Sequence, residues 1–255
     1  MVCLLNHHRV IPLVVMVLMP AVASPLAQAQ SITAANTTTS IQQIDNLYQI
    51  DGGSLSGDST TLFHRFSQFG LLTGETAQFN NPAAVESIIG QVSGGNASII
   101  DGLLAVAGDA SLYLVNPAGI LFGENAQLNL NGSFSASTAT GLAFDKDLLN
   151  ALSTTDFTLL NGAPTGYVFG NGQGNAVINA GELAVNSGQS LTLLGGQVIN
   201  TGQLSAPNGD ILVMAVPGEN LVRLSPTGSL LGLELETLPD TFAQPASAVS
   251  ISTVP

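Results

Sequence analysis

The clearest alternation of apolar and polar positions runs from Asp109 to Phe134, DASLYLVNPAGILFGENAQLNLNGSF. Three short apolar runs, Leu112–Val115, Ile120–Phe122 and Leu128–Leu130, are each followed by a break: Asn116-Pro117-Ala118-Gly119, then Gly123-Glu124-Asn125-Ala126, then Asn131-Gly132. In the first break Pro117 sets φ near about −65° at the second turn position and Gly119 ends the turn without steric cost. The Asn116 side chain can fold back onto the backbone amides two residues on. Three strands and three turns within about 25 residues match one coil of a parallel β-helix, or one meander of a small sheet.

A second rhythm decides between these. Gly181-Glu182-Leu183 recurs 21 residues later as Gly202-Gln203-Leu204, and Leu191 and Ile211 stand 20 residues apart after Gly188-Gln189-Ser190 and Asn208-Gly209-Asp210. The leading apolar residues Leu183, Leu191, Val198, Leu204 and Ile211 follow one another at intervals of 8, 7, 6 and 7. Three short strands per repeat of about 20 residues predict an all-β fold, a right-handed parallel β-helix. Each coil cannot bury its apolar side alone; stacking makes the core continuous. At about 4.8 Å per coil the chain beyond residue 29 would supply roughly nine or ten coils, less the caps, a rod around 40–45 Å long. A β-sandwich would want longer strands and regularly spaced Asn-Gly hairpins.

The flanks modify this solenoid. Ile41, Ile44, Leu47 and Ile50 are spaced by three, but Asp51-Gly52-Gly53 and Gly57-Asp58 are turn signals, so short strands forming an N-terminal β cap are expected. Such a cap protects the bare end of the stack. Leu62–Phe79, with Phe63, Phe66 and Phe69, predicts a plug of aromatic side chains closing the core. Asn81-Pro82 reads as a helix start, an N-cap followed by proline at the first helical position. Val85, Ile88, Ile89 and Val92 then form one apolar face, giving one short helix that Gly94-Gly95 ends. Ser135–Leu160 is less regular; Asp145-Lys146-Asp147 suggests an exposed loop, and Leu233-Glu234-Leu235 a late strand.

Composition narrows the chemistry. Of 255 residues 45% are hydrophobic and only 8% charged, so Asn, Gln, Ser, Thr and Gly carry the polarity. That suits stacked turns, where a column of equal charges would repel. Four Lys and Arg against 17 Asp and Glu give a formal net charge of −13, which excludes phosphate-backbone binding and with it nucleic acid. Beyond residue 29 the basic side chains are Arg65, Lys146 and Arg223, and the one histidine is His64. A lone histidine in an aromatic stretch reads as structural and has no partners for a metal, so neither metal nor cofactor is expected. The acids are isolated apart from Asp145/Asp147 and Glu234/Glu236, and Asn171–Asn175 lacks the aspartate of calcium-binding repeats, so an enzyme is not expected.

Residues 1–29 stand apart. Arg9 with His7 and His8, the apolar run Val10–Met19 and the A-x-A sequence Ala27-Gln28-Ala29 read as a secretory signal peptide cleaved after Ala29. The run is too short for a transmembrane segment, which needs about 20 apolar residues. The remainder, 30–255, reads as one domain and holds no cysteine, Cys3 being the single one. That fits a chain that must cross a second membrane unfolded.

The runs LFHRFSQF, FNNPAAVESIIGQVSGGNASIIDGLL and LYLVNPAGILFGENAQLNLNGSFSASTA together resemble the two-partner secretion (haemagglutination activity) domain of filamentous haemagglutinin-type exoproteins, in the form common among cyanobacteria. Asn161–Pro217 resembles it more loosely. The resemblance implies a right-handed β-helix, a signal peptide, and export through a partner outer-membrane transporter barrel with periplasmic repeats. It implies folding at the cell surface or in the medium, and a possible host or cell-surface adhesion target. The family's turn motif Asn-Pro-Asn-Gly-Ile falls on Asn116, Pro117, Ala118, Gly119 and Ile120, with Ala118 in place of the second Asn. The family's Asn-Pro-Asn-Leu motif has no clear equivalent. A stand-alone short adhesin and a β-helix polysaccharide-degrading enzyme are the alternative readings.

Overall fold

A computed structural model describes residues 31–145, 147–150, 156–170, 175–216, 218, 220–223 and 234–237. The signal-peptide reading with its Ala27/Ala29 cleavage, and the Asn171–Gly174 stretch, lie outside the described residues.

The cap comes first: β1 (Thr33–Ala34), β2 (Thr39–Ile44), β3 (Leu47–Gly52) and β4 (Ser54–Leu55). β2 and β3 form an antiparallel hairpin whose turn holds Asp45 at φ 52°. β3 then pairs in parallel with the first coil and so converts hairpin into stack. The strands expected to cap the solenoid are these.

Five coils follow. The first holds β5 (Thr61–Gln68) and β6 (Thr76–Phe79). The second holds β7 (Ser87–Val92), β8 (Ser98–Ile100) and β9 (Leu103–Val106), the third β10 (Ser111–Val115), β11 (Ile120–Phe122) and β12 (Gln127–Asn129). The fourth opens on β13 (Phe134–Ser137) and is interrupted by β14 (Gly141–Ala143), β15 (Leu148–Asn150), a 3-10 turn at Phe157–Leu159 and β16 (Gly166–Phe169). It resumes with β17 (Ala176–Asn179) and β18 (Glu182–Ala184). The fifth is β19 (Leu191–Gly195), β20 (Gln197–Asn200) and β21 (Gln203–Ser205). β22 (Ile211–Ala215) begins a sixth, and β23 (Asn220–Arg223) and β24 (Glu234–Thr237) end the described chain.

Like strands of successive coils stack into three parallel sheets. Sheet 1 is β5-β7-β10-β13-β19-β22, sheet 2 is β8-β11-β17-β20, and sheet 3 is β3-β6-β9-β12-β18-β21 behind β2. Asp109–Phe134 is one whole coil with the start of the next. The echoes set the register: Leu183 lies beside Leu204 and Leu191 beside Ile211, all in parallel pairs. The sandwich alternative is thereby ruled out.

Two expectations are corrected. No helix starts at Asn81-Pro82. Val85 N–H donates to the Pro82 carbonyl at 3.0 Å, closing a turn that leads into β7. All six residues of β7 are buried, because sheet 1 is covered on both faces. Ile88 and Val92 point into the coil core while Ile89 points outward into a second core. A strand buried on both sides reads as an unbroken apolar run, and such a run can mimic a helical stripe. Gly90 in mid-run also disfavours a helix. The coil count is the second correction: among the described residues sheet 1 holds six stacked strands, fewer than nine or ten coils less the caps. Between β13 and β17 the fourth coil is interrupted by β14, β15 and β16, which pair antiparallel with one another and with β23 as an outer sheet. The chain spent there builds no coils. β24, which takes up most of the expected late strand, adds to that outer sheet. Asp145 and Asp147 are exposed in the loop between β14 and β15, as expected.

The outer sheet makes the second core. Phe63, Ile89, Val115 and Leu194 of sheet 1 meet Leu142, Leu149, Tyr167, Phe169 and Val222. The aromatic plug is therefore split. Phe66, Phe69 and Phe79 pack edge-on and stacked at 5.0–6.2 Å inside the first coil. Phe63 turns outward and stacks on Phe157 at 4.5 Å.

Candidate functional site: the Asn116–Ile120 turn

The turn joins sheet 1 to sheet 2 in the third coil. Asn116 O accepts from Gly119 N at 3.0 Å, and Asn116 Oδ1 accepts from Ala118 N at 2.9 Å, the back-bond expected from the sequence. Gly119 sits at φ 119°, where an L side chain is strained. Ile120 enters β11 between Ser98 and Val177.

Neighbouring coils clamp this turn. Asn116 Nδ2 donates to Asn96 O at 3.0 Å and to Ser98 Oγ at 2.9 Å in the coil before. Asn175 Nδ2, from the coil after, donates to Pro117 O at 2.8 Å. Ser98 N donates to Gly119 O at 2.9 Å. Asn116 is 1% exposed, whereas Pro117 and Ala118 are half-buried. Every polar group of the Asn116 side chain is used inside the stack. Ala118, at the position of the motif's second Asn, contributes only its N–H to the Asn116 bond. The clamping residues Asn96, Ser98 and Asn175 went unread in the sequence. Asn96 and Asn175 follow glycine-rich breaks, which was the available signal.

The other breaks stack in the same way. Asp101 accepts from Thr73 Oγ1 and from Asn125 N at 3.0 Å, joining three coils; the Thr73 bond first, and Asn125 after it, hold its carboxyl below the usual range. Asn179 donates to Asn200 Oδ1 at 2.8 Å, and Asn186 to Asn131 Oδ1 at 3.1 Å. Asn81 and Pro82, by contrast, sit in the turn that leads into β7, where Asn81 Nδ2 donates to the Pro82 carbonyl at 3.1 Å. Asp58 fastens the cap to the excursion: it accepts from Ser56 Oγ at 2.6 Å and Gly162 N at 2.7 Å, and its pKa falls to about 2, the Ser56 bond being the main cause.

His64 is fully buried in the first coil, with neither ring nitrogen hydrogen-bonded. Burial lowers its pKa to about 4, against a smaller opposing pull from Asp51. Among the described residues no three His, Cys, Asp or Glu side chains come together as a metal site. No helix among them is long and apolar enough to cross a membrane.

These features define a class: a parallel β-solenoid with a strand-built cap and an antiparallel outer sheet, held at its corners by Asn, Asp, Ser and Thr columns. The chain belongs to the TPS secretion domain family, whose model matches residues 27–239. Among curated proteins it is 27% identical over 153 residues to the haem/haemopexin-binding protein of Haemophilus influenzae, covering 55% of this chain and 14% of that protein. The match thus spans about a seventh of that relative's length. Among solved structures it is similar to the HMW1 secretion domain of Haemophilus influenzae, with TM-score 0.53 and 21% identity over 81% of this chain and 48% of that one. A filamentous haemagglutinin secretion domain aligns at TM-score 0.35 with 14% identity, over 72% of this chain and 99% of that one. The family is that of TPS secretion domains, and the fold is shared with a solved secretion domain.

Proposed function

We propose that residues 30–255 are the secretion domain of an exported adhesin-like protein, recognised by a partner outer-membrane barrel and folded outside the cell. Residues 1–29 direct the first crossing and are removed after Ala29. The family match carries this reading, and the stack gives it a mechanism. Each coil that forms outside buries the apolar edge of the one before, so folding is downhill and opposes retreat. No ATP hydrolysis is needed at the outer membrane.

Within this reading Asn116–Ile120 acts by fixing a corner of the growing stack. The burial of the Asn116 side chain favours that role over contact with the barrel by the folded domain. Catalysis has no part in it.

The test is export of the full chain from a Gram-negative host lacking both components, with and without a co-expressed two-partner transporter. Release should require the transporter, and the released protein should begin at Gln30. Equal release without it would overturn the reading. Export unchanged by Pro117→Leu would remove the turn from the mechanism.

A further inference from the structure

From the first coil to the start of the fourth, the strand pairs of sheet 1 join residues one coil apart: Leu62 with Ile88, Ser87 with Ser111, Leu112 with Phe134. The loop between β4 and β5 is different. Gly57 N–H donates to Leu160 O at 3.0 Å. Gly162 N–H donates to Asp58 Oδ2 at 2.7 Å across 104 residues, and Thr61 Oγ1 donates to Gly162 O at 2.7 Å across 101. The two oxygens of Asp58 divide the work. Oδ1 accepts from Ser56 Oγ at 2.6 Å and from Thr60 N at 3.2 Å and so holds its own loop, while Oδ2 holds the excursion.

Gly57 is shaped for this docking. A Cβ there would stand 2.3 Å from Thr158 O. Its φ lies outside the left-handed region, so the loop by itself accepts a side chain and only the docked excursion excludes one. The hold is light. The 3-10 turn Phe157–Leu159 contains no buried residue, and Leu159 is 61% exposed. Leu160 in the second core and the Phe63–Phe157 stack are the apolar anchors.

We propose that residues 156–162 are a clasp that closes last and opens first, sealing the cap only on a chain that has reached its fourth coil. Loop-closure entropy sets the order. In the unfolded chain, joining Gly162 to Asp58 closes a loop of about 100 residues for a handful of bonds, whereas each coil closes a loop of about 25. Once three coils are stacked, the excursion alone separates the two partners and the remaining cost is small. Until then Gly57 N–H and Asp58 Oδ2 face water and the loop stays open. With so few buried contacts, the clasp is also the first part of the native fold to release.

Hydrogen exchange of the full chain, read amide by amide, tests this. During refolding from urea the Gly57 and Gly162 amides should gain protection at least about tenfold more slowly than those of Leu112 and Asn116, which bond Ser133 O and Ser137 O in the stack. In the native state they should exchange at least about tenfold faster. Gly57→Ala should strip protection from Gly162 while Leu112, Asn116 and the far-UV circular dichroism stay unchanged. Thr61→Val deletes one clasp bond and keeps the shape; it should quicken exchange at Gly57 and Gly162 and not at Leu112 or Asn116. Simultaneous protection of both sets overturns the proposal. A Gly57→Ala chain that keeps Gly162 protected, or that fails to fold, overturns it too, because the stack is held to stand without the clasp. The secretion reading concerns where folding takes place and is untouched by these outcomes.

Discussion

Acidification should loosen the first coil through His64. The imidazole is enclosed by Phe66 at 6.2 Å and Phe79 at 5.8 Å, with Gly53 packed close over Cε1. Asp51 on β3 is the charge acting on it, and its carboxylate is already bonded by Asn80 at 3.0 Å. Arg65, next in sequence, is a second cation and gives an imidazolium no relief. The ring must therefore stay neutral in the fold. Its pKa is about 4 there, against 6.5 when unfolded. Because the folded value is the lower one, the unfolded chain takes up the proton first as pH falls. Stability is full above pH 6.5, declines below it, and stops declining near pH 4. The whole gap is worth about 3 kcal/mol, and about 2 kcal/mol of it is lost by pH 4.8 or so.

The window is clean. Asp58 and Asp101 have lowered folded pKa values, so their contribution is present above the ordinary aspartate range and is lost only below about 3.9. The isoelectric point of about 4.1 makes solubility the practical floor. Urea unfolding followed by far-UV circular dichroism, the chain having no tryptophan, should show the midpoint falling between pH 7 and 4.8. His64→Leu fills the same space without ring nitrogens to satisfy. It should be as stable as the parent, or more so, at pH 7 and should flatten the slope. A flat parent profile, or a slope that survives in His64→Leu, would refute the argument.

Two further outcomes follow from the geometry. Asn116→Ala removes the Ala118 back-bond and both donors to the preceding coil, and should cost about 2–3 kcal/mol in urea unfolding. Asn116→Asp should recover little of this, since it restores the acceptor and sets a carboxylate against Asn96 O. Tyr167→Phe strips the hydroxyl that bonds Ser135 across the second core. It should cost about 1–2 kcal/mol, with faster amide exchange in β14–β16 than in β10–β12; uniform exchange would mean that the outer sheet and solenoid open as one unit.

How much could be read in advance depended on how far along the chain each contact reaches. Leu183 with Leu204 and Leu191 with Ile211 are neighbours about one coil apart, so their spacing carried the register directly. The Asn116 back-bond spans two residues and was equally legible. Its clamps were not: Asn96 lies 20 residues back and Asn175 reaches Pro117 from 58 residues on, across the excursion. The outer sheet is further still, with Tyr167 opposite Val222 and no repeat to announce the pairing. That hidden sheet also produced the false helix. A one-face solenoid strand would show apolar and polar residues in alternation, and Ser87–Val92 would then have been read as a strand. Once a second layer covers sheet 1, Ile89 must be as apolar as Ile88, and the alternation that marks a strand is erased.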